Sequence, residues 1–389
     1  MDRFFADRER RRLGSLTVYS GPTHSGKTKK LDAEVERAQR QGRAVQRVDA
    51  PMEAATLLAM IEPETELLVI DRAEAFLPDL VGATDTLAGS RHRIDVVVAG
   101  WELDYRGQPH GPLPQLLCTA DFAIKLDDGV CASPGCRNPA SRTQRFVLED
   151  GAERFAPVCR RHHDPQGRTK AFQEGWFEEP TGSLEVVAGC MFSGKTQELI
   201  RRLDQERYAG AGIQVFKPAL DDRYAIEAVA SHRDLRFPAL AVPDVDALVD
   251  QLRDDTRVVG IDEAQFFDDR IVSLCEQLAG RGLHTIVAGL ELDFLGRPFG
   301  PMPWLMAHAD RLTKLQASCQ FPGCGSRQAT RTQRLEDGQP ASSDSPLVVI
   351  GGAARYQARC RHHHEIPALD GSYARHAAAS GSAARSPEM

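Results

Sequence analysis

The same glycine-rich loop occurs twice in this chain, at residues 21–28 (GPTHSGKT) and 189–196 (GCMFSGKT). Both fit the pattern Gly-x4-Gly-Lys-Thr, and both follow an apolar run and open a segment of helical periodicity. After each loop come an apolar run ending in an acid, a stretch ending in Gly-Pro and a four-residue Cys/His pattern. The sequence therefore predicts one module written twice, and the two copies differ in what they keep.

The order of strands and helices predicts an α/β fold. In the second copy, apolar runs such as 258–262 and 284–289 alternate with helical segments, as in a buried parallel sheet. We expect two P-loop NTPase-like parallel-sheet domains, each with a small zinc-ribbon subdomain. The predicted boundaries are 13–177 for the first copy, 178–182 for a linker, 183–366 for the second copy and 367–389 for a disordered tail.

Length and composition exclude several classes of protein. With 389 residues, 42% hydrophobic and 26% charged, the chain is typical of a soluble globular protein with room for two cores. The net charge of −7 argues against generic binding to nucleic acid or anionic membranes. No apolar run approaches the roughly 20 residues that span a bilayer, and the charged N-terminus is unlike a secretory signal. We expect a cytoplasmic protein with no nucleic-acid or membrane partner.

The second copy carries the residues that phosphoryl transfer requires. Backbone N–H groups of the loop would hold the phosphates of ATP, Lys195 would neutralise their charge, and the Thr196 hydroxyl and Asp262 would bind Mg²⁺. Glu263 follows, where a base could reach a hydroxyl. An Asp-Glu pair also fits an ATPase that activates water, so it does not separate kinase from hydrolase. The predicted phosphate-binding residues are Gly189, Met191, Ser193, Gly194, Lys195, Thr196 and Asp262.

Six of the nine cysteines fall into two Cys-x4-Cys…Cys-x2-His sets. Four protein ligands at this spacing leave no coordination position open, which predicts a structural Zn²⁺ site in each copy. The first set is Cys131, Cys136, Cys159 and His162, and the second is Cys319, Cys324, Cys360 and His363.

The second copy resembles thymidine kinases of the zinc-containing cytosolic type in the segments that contain and surround these residues. The resemblance covers nearly all of the copy in the right order, although family members often have cysteine where His363 stands. It rests on 189–196 (GCMFSGKT), 217–224 (KPALDDRY), 262–267 (DEAQFF), 289–303 (GLELDFLGRPFGPMP), 330–335 (TRTQRL) and 351–363 (GGAARYQARCRHH).

The resemblance implies ATP-dependent phosphorylation of the thymidine 5′-hydroxyl to dTMP, with Glu263 as the general base. It also implies self-association, because the family forms oligomers. A lasso segment would close over the base, largely through backbone contacts. The implied substrate contacts are Met191, Asp221, Arg223, Gln265, Leu290, Phe294, Phe299, Thr332, Val349 and Tyr356.

The first copy has lost several of these parts. Its strand ends Asp71-Arg72 where the second copy has Asp262-Glu263, and arginine cannot accept a proton at neutral pH. The Asp-x-Arg-Tyr segment is absent and the lasso is shorter. We expect a pseudokinase half that replaces a partner subunit or senses a nucleotide, with Glu74 a weaker candidate for a displaced base. Its possible nucleotide site consists of Gly26, Lys27, Thr28 and Asp71.

Two other functions remain open on the sequence alone. A nucleic-acid-stimulated ATPase is one, because GPTxSGKT occurs in helicase-like loops and zinc ribbons often bind nucleic acid. The acidic net charge and the lack of further helicase motifs disfavour it. A purely regulatory nucleotide-binding protein is the other, and it would require the second copy to be silent.

Overall fold

The computed structural model describes residues 14–89, 91–126, 129–147, 151–166, 182–219, 228–230, 236–349 and 355–366. Most of the predicted linker and the predicted tail at 367–389 lie outside this part of the chain, as do Asp221 and Arg223.

The N-terminal half is built on a parallel sheet of five strands in the order β2-β3-β4-β1-β5, followed by an antiparallel hairpin of β6 and β7. Its elements are β1 (Leu16–Ser20), α1 (Lys27–Arg40), β2 (Val45–Val48), α2 (Ala54–Met60), β3 (Leu67–Ile70), α3 (Leu80–Ala88), β4 (Asp95–Gly100), α4 (Leu113–Thr119), β5 (Phe122–Lys125), β6 (Arg142–Val147) and β7 (Glu153–Val158).

The C-terminal half begins with a parallel sheet in the order β12-β9-β13-β14-β8-β15. Its elements are β8 (Ser183–Gly189), α5 (Lys195–Tyr208), β9 (Ile213–Pro218), β10 (Ala228–Ala230), β11 (Arg236–Pro238), β12 (Leu240–Val242), α6 (Val245–Asp250), β13 (Val258–Ile261), α7 (Arg270–Gly280), β14 (His284–Gly289), α8 (Met302–His308), β15 (Arg311–Leu315), β16 (Ala329–Glu336), β17 (Gln339–Pro340) and β18 (Tyr356–Cys360).

The two sheets share one strand order once β12 is set aside, and their central strands are buried. All four residues of β3 (LLVI) and of β13 (VVGI) are buried, because helices cover both faces of each sheet. The predicted α/β class with parallel sheets is confirmed. Parallel strands carry their following loops at one edge, so the glycine-rich loop after β8 and the acids after β13 lie together.

Edge strands β5 and β15 and helices α4 and α8 join the two halves. One apolar cluster contains buried side chains of both halves, among them Leu116 and Leu117 from α4 and Leu305 and Met306 from α8. The halves therefore share a core across this contact.

Two arginines of the N-terminal half reach into the C-terminal half. Arg142 and Arg160 donate to the carbonyl oxygen of His308, at 2.8 and 3.0 Å. Arg160 also pairs with Asp310 at 2.8 Å and with Glu276 at 2.6 Å. Both guanidinium groups are almost fully buried.

Two arginines of the C-terminal half make the reciprocal contacts. Arg331 and Arg361 donate to the carbonyl oxygen of Thr119, at 2.8 and 2.6 Å. Arg361 pairs with Asp121 at 2.8 Å and also with Asp85. The same donors and acceptors thus recur with the halves exchanged, as in a two-fold symmetric subunit interface.

The aspartates of this interface stay ionised in spite of their burial. Burial raises the pKa of Asp121, but Arg361 and Arg331 outweigh it and lower the pKa to about 2. Arg160 and Arg142 act in the same way on Asp310, whose pKa is also about 2. Both carboxylates therefore stabilise the folded state only while they are charged.

We predict that acid weakens this interface. The folded pKa lies below the usual 3.8. Each aspartate therefore contributes its full stabilisation of the folded state above about pH 4, and about 2 kcal/mol of it is lost as the pH falls towards about 2. Urea unfolding of the wild type and of Asp121→Asn across this pH range measures how much of the lost stability is due to Asp121, since protonation of other groups affects both proteins alike.

At neutral pH Asp121→Asn should lower the free energy of unfolding by about 3–5 kcal/mol, because Arg361 loses its buried partner. The matched control is Asp246→Asn, which breaks an exposed pair with Arg270 and should cost less than about 1 kcal/mol. Equal effects of the two substitutions would contradict the assignment.

Candidate active site

The glycine-rich loop of the C-terminal half joins β8 to α5 in a conformation that requires its glycines. Gly194 has a φ of 89° at the start of α5. A Cβ at Gly189 would lie 2.5 Å from Ser193 Oγ and 2.8 Å from the carbonyl oxygen of Leu315. Lys195 is buried and donates to the carbonyl oxygen of Cys190 at 3.0 Å. The loop therefore has the form of a phosphate site at a helix N-terminus.

Thr196 and Asp262 meet beside this loop. The Thr196 hydroxyl donates to Asp262 Oδ2 at 3.1 Å. Burial and the negative charge of Glu263 raise the pKa of Asp262 to about 7. A hydroxyl and a buried carboxylate whose charge Lys195 offsets only in part fit Mg²⁺, which prefers oxygen ligands and would hold the carboxylate ionised.

Glu263 follows β13 with a φ of 54°, a conformation that is uncommon for residues other than glycine. Gln265 Nε2 donates to Glu263 Oε2 at 2.6 Å, and Gln265 Oε1 accepts from the Leu290 N–H at 2.9 Å. The amide thus orients the Glu263 carboxylate and ties it to the loop after β14. Glu263 is partly exposed, so its free oxygen can accept a proton from a bound hydroxyl.

Strand β16 brings the predicted lasso residue Thr332 to the loop, and Tyr356 on β18 contacts another predicted lasso residue. The Thr332 hydroxyl accepts from the Met191 N–H at 3.0 Å. Tyr356 donates its hydroxyl hydrogen to the carbonyl oxygen of Val349 at 2.7 Å. The structure thus brings Met191 and Thr332 together, and the link between lasso and loop runs through a side chain, which the sequence did not reveal.

The two predicted aromatic contacts differ in their surroundings. Phe299 is half-buried and packs edge-on against Phe266, with ring centroids 5.5 Å apart. Phe294 is buried beneath the guanidinium of Arg334, 4.6 Å from its ring centroid, and clusters with Ile366. Phe299 is therefore accessible to a ligand, whereas Phe294 is part of the supporting core.

The four cysteine and histidine ligands predicted in the C-terminal half come together. Cys360 Sγ lies 3.1 Å from His363 Nδ1 and 3.9 Å from Cys324 Sγ, and Cys319 Sγ lies 3.9 Å from His363 Nδ1. Phe321 stacks on the His363 ring at 4.2 Å. The ligand atoms all lie within 4.8 Å of one another, which is compatible with the edges of a tetrahedral zinc site.

The N-terminal half holds an equivalent cluster. His162 Nδ1 lies 3.3 Å from both Cys131 Sγ and Cys159 Sγ, and Cys136 Sγ lies 4.0 Å from Cys159 Sγ. These four ligand atoms also fall within 4.8 Å of one another. Both predicted ligand sets are thus assembled in a geometry that fits zinc.

The loop of the N-terminal half keeps its phosphate-site geometry but has no counterpart of Glu263. Thr28 Oγ1 lies 3.3 Å from Asp71 Oδ2, and Lys27 donates to the carbonyl oxygen of Gly21 at 2.8 Å. Arg72 adopts the φ of Glu263, 52°, and its guanidinium donates to the carbonyl oxygen of Asp49 at 3.1 Å. A positive group therefore stands where the C-terminal half has a carboxylate.

Three aromatic side chains pack together in the N-terminal half, two from the segment after β4 and one from β7. Trp101 and Tyr105 pack on Phe155 with centroid distances of 5.8 and 6.4 Å. Glu74 accepts from the Trp101 N–H at 3.0 Å, as Gln265 does from Leu290. Glu74 thus takes the place of the orienting amide and not that of a base.

Within the described residues no helix combines the length and the apolar character needed to cross a bilayer. The cytoplasmic location stays a prediction.

We predict that each cluster binds one zinc ion. Cys159→Ala and Cys360→Ala should each lower the zinc content of the purified chain from two to one ion, because each removes a ligand from one of the two groups. Elemental analysis after dialysis measures this. Cys275→Ala removes a buried thiol outside both groups and is the control; zinc loss in that variant would contradict the assignment.

A family model described as thymidine kinase matches residues 40–163 and 182–364. The match covers more than half of the chain and extends into both halves of the structure. It includes the acids after β13, the loop after β14 and both metal-ligand groups. The chain therefore belongs to the thymidine kinase family, whose members are enzymes that phosphorylate thymidine with ATP.

Proposed function

We propose that the C-terminal half transfers the γ-phosphoryl group of ATP to the 5′-hydroxyl of thymidine, giving dTMP and ADP, with Glu263 as the general base. The observation that carries this proposal is the placement of Glu263. Gln265 holds its carboxylate at the strand end, one residue from the Asp262–Thr196 pair and beside the phosphate loop.

The chemistry follows from this placement. The loop N–H groups and Lys195 bind the phosphates, while Thr196 and Asp262 would hold Mg²⁺. The cation, when bound, neutralises the charge that develops on the transferring group. Glu263 takes the 5′-hydroxyl proton as the oxygen attacks the γ-phosphorus, and the bond to the leaving ADP breaks.

The remaining site residues are proposed to bind the nucleoside. Met191, Leu290 and Phe299 would contact the base, and Phe294 would support them from the buried cluster that it forms with Ile366. The lasso residues Thr332, Val349 and Tyr356, which are already hydrogen-bonded to the loop or to one another, would close over the base. Asp221 and Arg223 complete the proposed substrate contacts on the strength of the sequence resemblance.

We further propose that the chain is a tandem duplication, 13–177 and 183–366, with a degenerate first copy. The shared strand order and the exchanged arginine contacts support this. Arg72 cannot act as a base, so the first copy would serve as a built-in partner subunit. Its phosphate loop could still hold a nucleotide through Gly26, Lys27, Thr28 and Asp71. Self-association of whole chains would then use other surfaces, and structural Zn²⁺ would occupy both clusters.

We predict thymidine-dependent ADP formation that requires only the second phosphate loop. With Mg-ATP, thymidine should stimulate turnover by the wild type and by Lys27→Ala, while Lys195→Ala should lose it because the phosphates lose their buried cation. A coupled ADP assay with thymidine, deoxycytidine, single-stranded DNA or no acceptor measures this. Turnover that ignores thymidine, responds to DNA or requires Lys27 would refute the proposal.

A second prediction concerns the base. Glu263→Gln keeps the size of the side chain and should reduce kcat by about 10²–10⁴-fold, since the 5′-hydroxyl proton loses its acceptor. The affinity for a non-hydrolysable ATP analogue, measured by calorimetry, should change little. Arg72→Gln is the matched change in the N-terminal half and should leave kcat within about twofold. Retained activity in Glu263→Gln would exclude this residue as the base.

A further inference from the structure

A buried ion pair in the C-terminal half connects the active site to the N-terminal half. Lys314 on β15 lies 3.4 Å from Glu291, and both side chains are 1% exposed. The Lys314 ammonium also donates to two carbonyl oxygens at the end of α4 in the other half, that of Leu117 at 3.1 Å and that of Cys118. One cation is thus shared between a carboxylate of its own half and the main chain of the other.

The N-terminal half repeats this arrangement with the directions exchanged. Lys125 lies 3.0 Å from Glu102 and donates to the carbonyl oxygens of Ala307 and Ala309, both at 2.6 Å. Glu102 then accepts from the Gly21 N–H, the first residue of that phosphate loop, at 2.7 Å. In this half a continuous chain of contacts runs from the opposite half to the phosphate loop.

In the C-terminal half the pair lies between the two loops that would hold the substrates. Glu291 follows Leu290, and its carbonyl oxygen accepts from the Phe299 N–H at 3.1 Å. Lys314 pairs with Ala188 in the β15–β8 register, one position before the glycine that opens the phosphate loop. Movement of the pair would therefore be transmitted to both loops.

The buried Glu291 carboxylate lies beside the Lys314 ammonium, its ion-pair partner. Both carboxylate oxygens are buried and lack a hydrogen-bond partner in the described part of the chain, so the ammonium provides their compensation. Burial lowers the pKa of Lys314, and the negative charge of Glu291 opposes this shift without cancelling it. A buried charge that loses its partner is strongly destabilised, and neighbouring groups move to relieve it.

We infer that Lys314 is a positioning residue for phosphoryl transfer: it fixes Glu291, and with it the phosphate loop and the Leu290–Phe299 loop, against main-chain carbonyls of the N-terminal half. The N-terminal half is thereby part of the architecture of the active site and does more than stabilise the chain. The inference rests on the proposed activity of the C-terminal half.

The test compares Lys314→Met with Lys125→Met in the full-length chain. Each removes one buried ammonium and two contacts across the same interface, so both should lower Tm by a similar amount. At a temperature where circular dichroism shows both variants folded, Lys314→Met should reduce kcat/KM for ATP and for thymidine by about tenfold or more, because small displacements of catalytic groups cost rate. Lys125→Met should stay within about threefold.

Equal losses in the two variants would overturn the inference, since the ion pairs would then act through stability alone. Unchanged activity in a folded Lys314→Met variant would overturn it as well. If Lys314→Met does not fold, Glu291→Gln replaces the carboxylate of the pair while preserving side-chain size and the ammonium contacts to the carbonyls, and the same loss of kcat/KM is expected. Glu102→Gln is its counterpart in the N-terminal half, where it also changes the acceptor of the Gly21 N–H.

The wild type and Lys195→Ala are measured in the same assay. They distinguish a failure of this inference from a failure of the proposed function. A wild type without thymidine-dependent turnover would refute the proposed function itself. Turnover that is present in the wild type and lost in Lys195→Ala, together with indistinguishable Lys314→Met and Lys125→Met variants, would refute only the role of Lys314.

Discussion

The reciprocal burial of arginines between the two halves is the interaction on which the rest of the structure depends. Arg331 on β16 inserts into the N-terminal half, while the next residue, Thr332, accepts a hydrogen bond from the phosphate loop of its own half. Arg361 pairs with Asp121 across the interface and directly follows the metal ligand Cys360. Neighbouring residues thus serve the interface, the metal cluster and the loop, so none of the three can shift alone.

The two halves share one architecture but differ in a side chain at the end of an equivalent strand. Both place a residue of positive φ at the end of an equivalent strand, Glu263 in one and Arg72 in the other. The backbone frame supports either side chain, because the frame is held by strand pairing and by the interface. The same backbone geometry therefore accommodates a carboxylate in one half and a guanidinium in the other, so the fold alone does not fix the chemistry at this position.

Sequence patterns were sufficient to predict those parts of the candidate site that depend on local spacing. Gly194 and Lys195 are set by the strand–loop–helix geometry of a phosphate site, and the two Cys/His clusters follow the ligand spacing of tetrahedral zinc sites. The pairing of Gln265 with Glu263 and Leu290 was not predictable in this way, because its partners come from different strand ends. Nor could the sequence show that Phe294 lies in the core whereas Phe299 remains accessible.

The sequence by itself determined the parallel α/β class, the glycine-rich loops, the acids at the strand ends and the two Cys/His clusters, because each follows from local periodicity or from short spacing. Only the tertiary structure decided how the two halves meet. The contacts of Arg160 with Asp310 and of Lys314 with the end of α4 join residues more than a hundred positions apart. Such contacts leave no local pattern, since they depend on how helices and edge strands pack once both sheets have formed.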